Sequence, residues 1–376
     1  MTFRRNAPVT IVVATAVVIA AATFLTSRLF ADMTDSVEAD RFKTMQAIAE
    51  TALHDAENRA LGRAELIADM PAVQRLFAAG DREGLLAELK KAFADQKARH
   101  GVDQAQFHTL PAKSFLRLHD PKSFDDDLTE TRPMIVAANR DKQPLKGIAI
   151  ARNGPAIFGI AVMTDPAGKH VGSFEIGMSL APVLANIKSV YGMDLAFFVL
   201  EQPLREFAKG VDKERLGEQN RVGRYIRFEA TNTELMTTLA NPDDVAVVNE
   251  PITYLREVNG LAHGVVLIPI NNAGGTTLGL MAISSDFSSS RAAVNVTLIY
   301  QAVVGLLAFL LLAGIVVIVI RGFLLRPLEI LTDRFDAVHT GAPLDDIVGA
   351  DHFPSELEPF VDLYEKIRAR RKDNGK

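Results

Sequence analysis

Residues 153–180 read NGPAIFGIAVMTDPAGKHVGSFEIGMSL, and residues 259–287 read NGLAHGVVLIPINNAGGTTLGLMAISSDF. Each stretch opens on Asn-Gly, at Asn153-Gly154 and at Asn259-Gly260. Each sets a glycine in mid-strand (Gly159, Gly264), turns through another (Gly168, Gly274) and resumes on a strand with a third (Gly172, Gly279). Apolar runs of strand length bounded by turn formers are the pattern of buried β-strands. Two copies of one glycine-turned hairpin argue for tandem modules of the same fold. The competing reading is chance likeness between two such hairpins.

Working outward from the first hairpin, an alternating pattern covers DQAQFHTL (103–110), SFLRLHD (114–120), RPMIVAANR (132–140) and KGIAIARNG (146–154). These stretches predict further strands, giving a sheet of about five in antiparallel order. Helices are expected before it. PAVQRLFAAG (71–80) starts on a proline and stops on a glycine, and Asp81 is placed to cap residues 82–101, which also close on a glycine. Upstream, Val37, Met45, Ile48, Leu53, Ala56, Ala60 and Ile67 recur at helical spacing, predicting one long helix over 32–70. The second module repeats the plan, with a linking helix over 179–192 and strands at 194–201 and 223–230. The fold class is therefore α+β.

Two runs outside this region lack charge for long enough to cross a bilayer. Residues 7–25, APVTIVVATAVVIAAATFL, reach roughly 28 Å as a helix at ~1.5 Å per residue. The second run, 294–320, has VVGLLAFLLLAGIVVIVI (303–320) as its apolar heart, with Asn295 and Gln301 near its start. Arg4 and Arg5 precede the first run, Arg321 and Arg326 follow the second, and KIRARRK lies near the end of the chain. This bias puts both termini in the cytoplasm and the intervening domain outside. A cleaved signal peptide is the rival for the first run, but that run is long for one and no small-x-small site follows it well.

Composition excludes several chemistries. The chain of 376 residues has no cysteine, so there is no disulfide framework, thiolate zinc site or cysteine nucleophile. The net charge of −5 gives no sign of nucleic-acid binding. There is no G-x-S-x-G elbow, H-E-x-x-H helix or phosphate-cradling glycine loop, so the chain is not expected to be an enzyme. His108 and His119, on neighbouring expected strands, are the pair weighed among scattered histidines in the outer domain, and neither a metal nor a cofactor is expected.

Candidate binding residues come from alternation in SFLRLHD, which puts Phe115, Arg117 and His119 on one strand face. A guanidinium fork beside an imidazole suits a small carboxylate. Arg132 is placed to close such a pocket, and Tyr191 to offer a hydroxyl. The alternative is structural: Arg117 and Arg132 pair with Asp125, Asp126 or Asp127, and Glu175 is an internal hydrogen-bonding residue. In the second module, Tyr225, Arg227 and Glu229 share a face, with a weaker case for a ligand.

The ordered set PAVQRLFAAGDREGL, GVDQAQFH, SFLRLHDPKSF, DDLTETRP and GSFEIG resembles the double Cache extracytoplasmic sensors of bacterial chemoreceptors and sensor kinases. The resemblance covers about residues 35 to 290. It implies two PAS-like Cache modules on a long N-terminal helix, flanked by two transmembrane helices, with a small ligand in one module. Asp125 and Ala149 depart from it, standing where a glycine and an acidic residue are implied. After the second span, Arg326-Pro327 precedes Leu328, Leu331, Phe335 and Val338, and Leu357, Phe360, Tyr364 and Ile367 repeat the heptad spacing. This pair resembles a HAMP linker, which implies a homodimer; helices lying on the lipid surface are the alternative.

The expected organisation is a cytoplasmic N-terminus (1–6), transmembrane helix (7–29), membrane-distal Cache module (30–180), membrane-proximal module (181–293), second transmembrane helix (294–320), HAMP-like linker (321–370) and basic tail (371–376). The expected function is that of a two-pass inner-membrane receptor in a bacterium. Its sensor domain would be periplasmic, and it would bind a small organic anion. It would signal to a separate cytoplasmic kinase, cyclase or chemotaxis protein. The alternatives are a membrane-tethered interaction module binding another protein, or a shortened receptor without output.

Overall fold

The computed structural model describes residues 3–246 and 248–373. The first two residues, Val247 and the last three of the expected basic tail lie outside that description. The chain divides into two compact units, Ser36–Arg291 and Met1–Asp35 with Ala292–Lys376.

Helix α1 (Phe3–Ala68) runs without a break. Within the larger unit it buries Met45, Ala49, Leu53, Ala56, Ala60, Ala64 and Ala68, a stripe at three- and four-residue steps. Of the residues expected on that stripe, Ile48 and Ile67 only flank it and Val37 is exposed. The stripe is instead completed by alanines, whose small side chains let the helix axis approach a sheet. Helix α2 (Pro71–Ala78) begins on its proline. Helix α3 (Arg82–His100) is capped by Asp81, whose carboxylate accepts from the Gly84 amide at 2.8 Å, and ends on left-handed Gly101.

The first sheet is built from β1 (Val102–Thr109) and β2 (Lys113–Arg117), then, after α4 (Pro133–Asp141), from β3 (Leu145–Ala151), β4 (Gly154–Thr164) and β5 (His170–Met178). Its order is β2-β1-β5-β4-β3, with every neighbour antiparallel. The stretch 132–140, expected as a strand, is helix α4. Pro133 opens its first turn, and Met134, Ile135, Ala138 and Asn139 form its buried face. That spacing is helical, and it prevails over a short apolar run that alternation alone cannot assign.

Helix α5 (Ala181–Tyr191) leads into the second module: β6 (Asp194–Leu200), α6 (Glu201–Phe207), β7 (Arg221–Val222), β8 (Tyr225–Ala230), α7 (Thr233–Leu239), α8 (Pro242–Val245), β9 (Ile252–Val258), β10 (Leu261–Asn271) and β11 (Thr277–Asp286). The order β7-β8-β6-β11-β10-β9 repeats that of the first sheet, with β6 in the place of β1 and β11 in that of β5. Strand β9 has no clear sequence signal, because as an edge strand it is exposed at alternate residues and carries Arg256 and Glu257. Asn259 and Gly260, both left-handed, turn it into β10.

One core joins the α1 stripe to one face of both sheets, with Phe107, Ile157 and Phe174 from the first and Phe197, Val266 and Ile283 from the second. Gly159 is the point of closest approach: an added Cβ there would sit 2.1 Å from the Leu61 nitrogen of α1.

In the other unit, α9 (Ser288–Val319) passes through a wider π-type stretch, Ile320–Leu325, into α10 (Arg326–Thr340); α11 (Glu358–Asp373) follows a connector. Among the described residues, two helices are long and apolar enough to cross a membrane, Val9–Ala68 and Ser288–Thr340. Ser27 Oγ donates to Gln301 Oε1 at 2.9 Å, and a Cβ on Gly305 would lie 2.9 Å from Thr23 Oγ1. Leu331, Ile347 and Tyr364 are buried together, Phe335 meets Tyr364 edge to face at 5.9 Å, and Arg371 donates to the Ala342 carbonyl. Higher numbers pair with higher numbers, so α10 and α11 run parallel. Leu328 and Phe360 of the heptad set remain exposed.

Candidate functional site

The two faces of the distal sheet differ in chemistry. On β1, Ala105 and Phe107 point toward α1, so Gln104, Gln106 and His108 point away. Register places Gln106 opposite Glu175 and His108 opposite Ser173 on β5, and Gln106 opposite Arg117 on β2. All six are buried, and Ser114 and Arg132 are buried with them. The corresponding outer face of the proximal sheet carries Ala196, Phe198, Tyr225, Val265, Leu267, Leu280 and Ala282, packed under Met236, Leu239 and Val245. The same strand order thus encloses a polar cluster in one module and, in the other, a mainly apolar core that also buries Arg227, His263 and Ser284.

Arg132 forms the base of the cluster. Its guanidinium donates to both Glu175 oxygens, at 3.0 and 2.5 Å, and lies 4.5 Å from the Phe158 ring centre. This bidentate pair is almost fully buried, where such geometry is needed to offset desolvation. Arg117 donates to Asp126 at 2.7 Å and to the Ser123 carbonyl at 2.9 Å. The loop that supplies these acceptors is zipped onto β2 through Asp125 N to Ser114 O, Ser114 N to Asp126 O and Leu128 N to Ala112 O. Asp125 has φ +73, a left-handed conformation that a glycine would take with less strain. Of the aspartates weighed as partners, Asp126 holds Arg117, whereas Arg132 is held by Glu175.

Both histidines of the site are held neutral. His108 is fully buried, with Nδ1 3.3 Å from Ser173 Oγ and Nε2 without a hydrogen-bond partner among the described residues, 3.8 Å from Glu175 Oε1. Burial pushes it well below the usual imidazole range, and Arg132 and Arg117 push it the same way. His119 Nδ1 lies 3.3 Å from the Ala105 carbonyl and amide. Burial brings His119 down to about 4, against the opposing hydrogen bond to Ala105.

The unfolded chain therefore takes up a proton on residue 119 near pH ~6.5, while the folded chain refuses it until pH falls to about 4. Stability should fall as pH drops through that window, by roughly 3 kcal/mol for this residue, and recover as pH rises. Thermal melts of the full chain in detergent, from neutral pH to about pH 4, should show this slope flattened in His119→Gln. An unchanged slope would mean that residue 119 is not held neutral.

A cavity of about 460 Å³ opens onto this cluster. Gln104, Gln106, Arg117, His119 and Arg132 line it from the distal module, as do Arg152 at the β3–β4 turn and Glu206, Phe207 and Lys209 from α6 and the residues after it. Arg117, His119 and Arg132 are thus brought together. Phe115 is not with them: Leu116 pairs with Phe107 but Ser114 with His108, so Phe115 is the extra residue of a bulge. It turns to the other face and packs edge-on against Phe77 at 5.3 Å. Tyr191 is also elsewhere, half-exposed at the end of α5 in an open groove of about 980 Å³ along α1. That groove is larger, but the buried polar groups converge on the smaller cavity. In the proximal module Arg227 is engaged by Asn220 and Thr237, and Glu229 by Arg215.

Gln104, Gln106 and His108 are not among the binding residues expected from the sequence, although their period-two alternation with Ala105 and Phe107 carries the signal. The α6 contribution had no local signal at all. Among the described residues, no group of three or more His, Cys, Asp or Glu is arranged to hold a metal ion.

Residues 41–290 match a family described as the double sensory domain of two-component sensor kinase. No curated protein matches the chain. Solved structures similar to it include an extracellular ligand-binding receptor from Desulfohalobium retbaense (10% identity, TM-score 0.37), which covers 64% of this chain while this chain covers 40% of that one. The ligand-binding domain of the Pseudomonas fluorescens chemoreceptor CtaA, in complex with L-serine, shares 16% identity at a TM-score of 0.35, with coverage of 67% and 98%. That of the Campylobacter jejuni chemoreceptor Tlp3, in complex with 4-methylisoleucine, shares 12% at 0.34, with coverage of 72% and 93%.

Proposed function

Because this chain belongs to the double Cache family of sensory domains found in two-component sensor kinases, we propose that it is a membrane-anchored receptor for a small organic anion. The observation that carries the ligand is the contrast between modules: a buried polar cluster facing a cavity in the distal one, a mainly apolar core at the same place in the proximal one. Ser114 holds Gln106, and Asp126 with the Ser123 carbonyl holds Arg117, so these buried polar groups are fixed in place beside the cavity before a ligand arrives. In this reading Arg132 and Glu175 build the floor, Gln104, Gln106 and His119 orient the ligand, and Arg117 and its neighbours set the sign of the field. Phe115 and Tyr191 take no part.

The two apolar helices anchor the domain outside the cytoplasmic membrane, with both termini inside. Binding shifts an equilibrium between two packings of the helices, by no more than the ligand's differential affinity for them. The parallel pair α10–α11 acts as a HAMP-like element. A second copy covers Leu328 and Phe360, and the output goes to a partner of kinase, cyclase or chemotaxis type. The module boundary near residue 180 and the linker at 321–370 are part of the same proposal.

Thermal-shift measurements on the full chain in detergent test the ligand class, using acetate, succinate, L-malate and citrate against glycerol and putrescine. At a concentration near one hundred times Kd, binding should add about 2.7 kcal/mol, or roughly 5–10 °C for a unit of this size. Stabilisation by putrescine or glycerol with none by any carboxylate would sink the anion reading.

A further inference from the structure

Arg117 and Arg132 each already hold a carboxylate of the chain, Asp126 and Glu175. Two other cations line the same cavity, Arg152 and Lys209. Both are exposed, and among the described residues neither has an ion-pair partner; Lys209 Nζ donates only to the Arg205 carbonyl, at 2.9 Å. They stand on opposite sides of the joint between modules. The β3–β4 turn, which carries Arg152, is plugged into the segment that follows α6. The Gly210 amide donates to the Arg152 carbonyl at 2.7 Å. A Cβ on Gly154 would lie 2.5 Å from Phe228 Cζ, and one on Gly210 would lie 2.6 Å from Asn153 Oδ1.

We propose that Arg152 and Lys209 receive the ligand's carboxylate between them, so that binding clamps the joint between the two modules. This rests on the receptor reading above and adds the residues and the route of the signal. Without ligand, two like charges line the same cavity and repel, although the field of Arg152 also reaches Asp120. A carboxylate placed between them turns the repulsion into two charge-assisted contacts. Glu206 lines the same cavity with no ion pair among the described residues, which selects a carboxylate that also carries a hydrogen-bond donor, such as a hydroxyl or amine. Helix α6 continues directly from β6, β6 pairs with β11 from Asp194↔Ser284 to Val199↔Gly279, and β11 feeds α9. The clamp therefore acts on the strand pair that leads into the second apolar helix.

The decisive variant needs no ligand. Lys209→Glu puts a carboxylate opposite Arg152 and should close the joint by itself. Hydrogen exchange of the full chain in lipid nanodiscs should then slow about tenfold over residues 150–154 and 206–211, and Arg152→Glu with Lys209→Glu should restore the wild-type rate. In parallel, Arg152→Gln and Lys209→Gln should each weaken the L-malate response about tenfold. Exchange in Lys209→Glu equal to wild type overturns the proposal, and so does a full L-malate response in both glutamine variants. If no carboxylate stabilises the wild type, the anion reading falls and this proposal falls with it; if carboxylates do stabilise it while both glutamine variants respond in full, this proposal alone falls.

Discussion

Replacing Glu175 by alanine should destabilise the distal module by about 3–5 kcal/mol, the range for stripping one partner from a buried ion pair. The carboxylate is the sole ion-pair partner of Arg132 among the described residues, and both side chains are under a tenth exposed. Without it the guanidinium stays buried over the Phe158 ring of β4 with its charge uncompensated. A domain is typically stable by only about 5–15 kcal/mol, so the loss is a large fraction of the total. Urea titration of the full chain in detergent measures it. The double variant Arg132→Met with Glu175→Leu should recover most of the stability, because no buried charge is then left alone. A Glu175→Ala chain within about 1 kcal/mol of wild type would show that the pair does not hold the module together.

Gly159→Ala should be nearly as damaging, for a steric reason. The added carbon meets backbone atoms of α1 at 2.1 and 2.3 Å, so the helix itself must move. Overpacking of this kind costs about 1–3 kcal/mol and more when only backbone can yield. The control is Gly168→Ala, in the β4–β5 turn. Its φ of +83 is unsuited to alanine, a penalty that Gly159 does not carry, but no atom lies within 4 Å of the new carbon. It should cost about 1 kcal/mol, the left-handed penalty alone. Equal melting points for the two variants would mean that α1 does not press on the sheet at Gly159.

Much of the fold was legible in the sequence because it repeats. The glycine-turned hairpins at 153–180 and 259–287 are β4–β5 and β10–β11, and the matched strand orders bear out the tandem reading. The capping of α3 by Asp81 and its stop at Gly101 followed from local chemistry, which needs no distant partner. Local chemistry failed at 132–140, where a short apolar run fits either period, and at β9, whose exposed edge carries charge.

The candidate site was half legible. Arg117, His119 and Arg132 were named and do meet, but the bulge at Phe115 shifted the face pattern by one residue and removed that ring from the cavity. Tyr191 was attached by sequence order alone, and α5 carries it into a different groove.

By itself the sequence determined the α+β class, the paired modules and two charge-free helical runs, since periodicity and turn chemistry act over a few residues. Only tertiary structure decided that Arg117 and Arg132 spend their charge on Asp126 and Glu175 while, among the described residues, Arg152 and Lys209 form no ion pair. Which cation faces which carboxylate depends on strand register and on how one module's turn seats in the other. Those are contacts between residues far apart in the chain, and no local pattern encodes them.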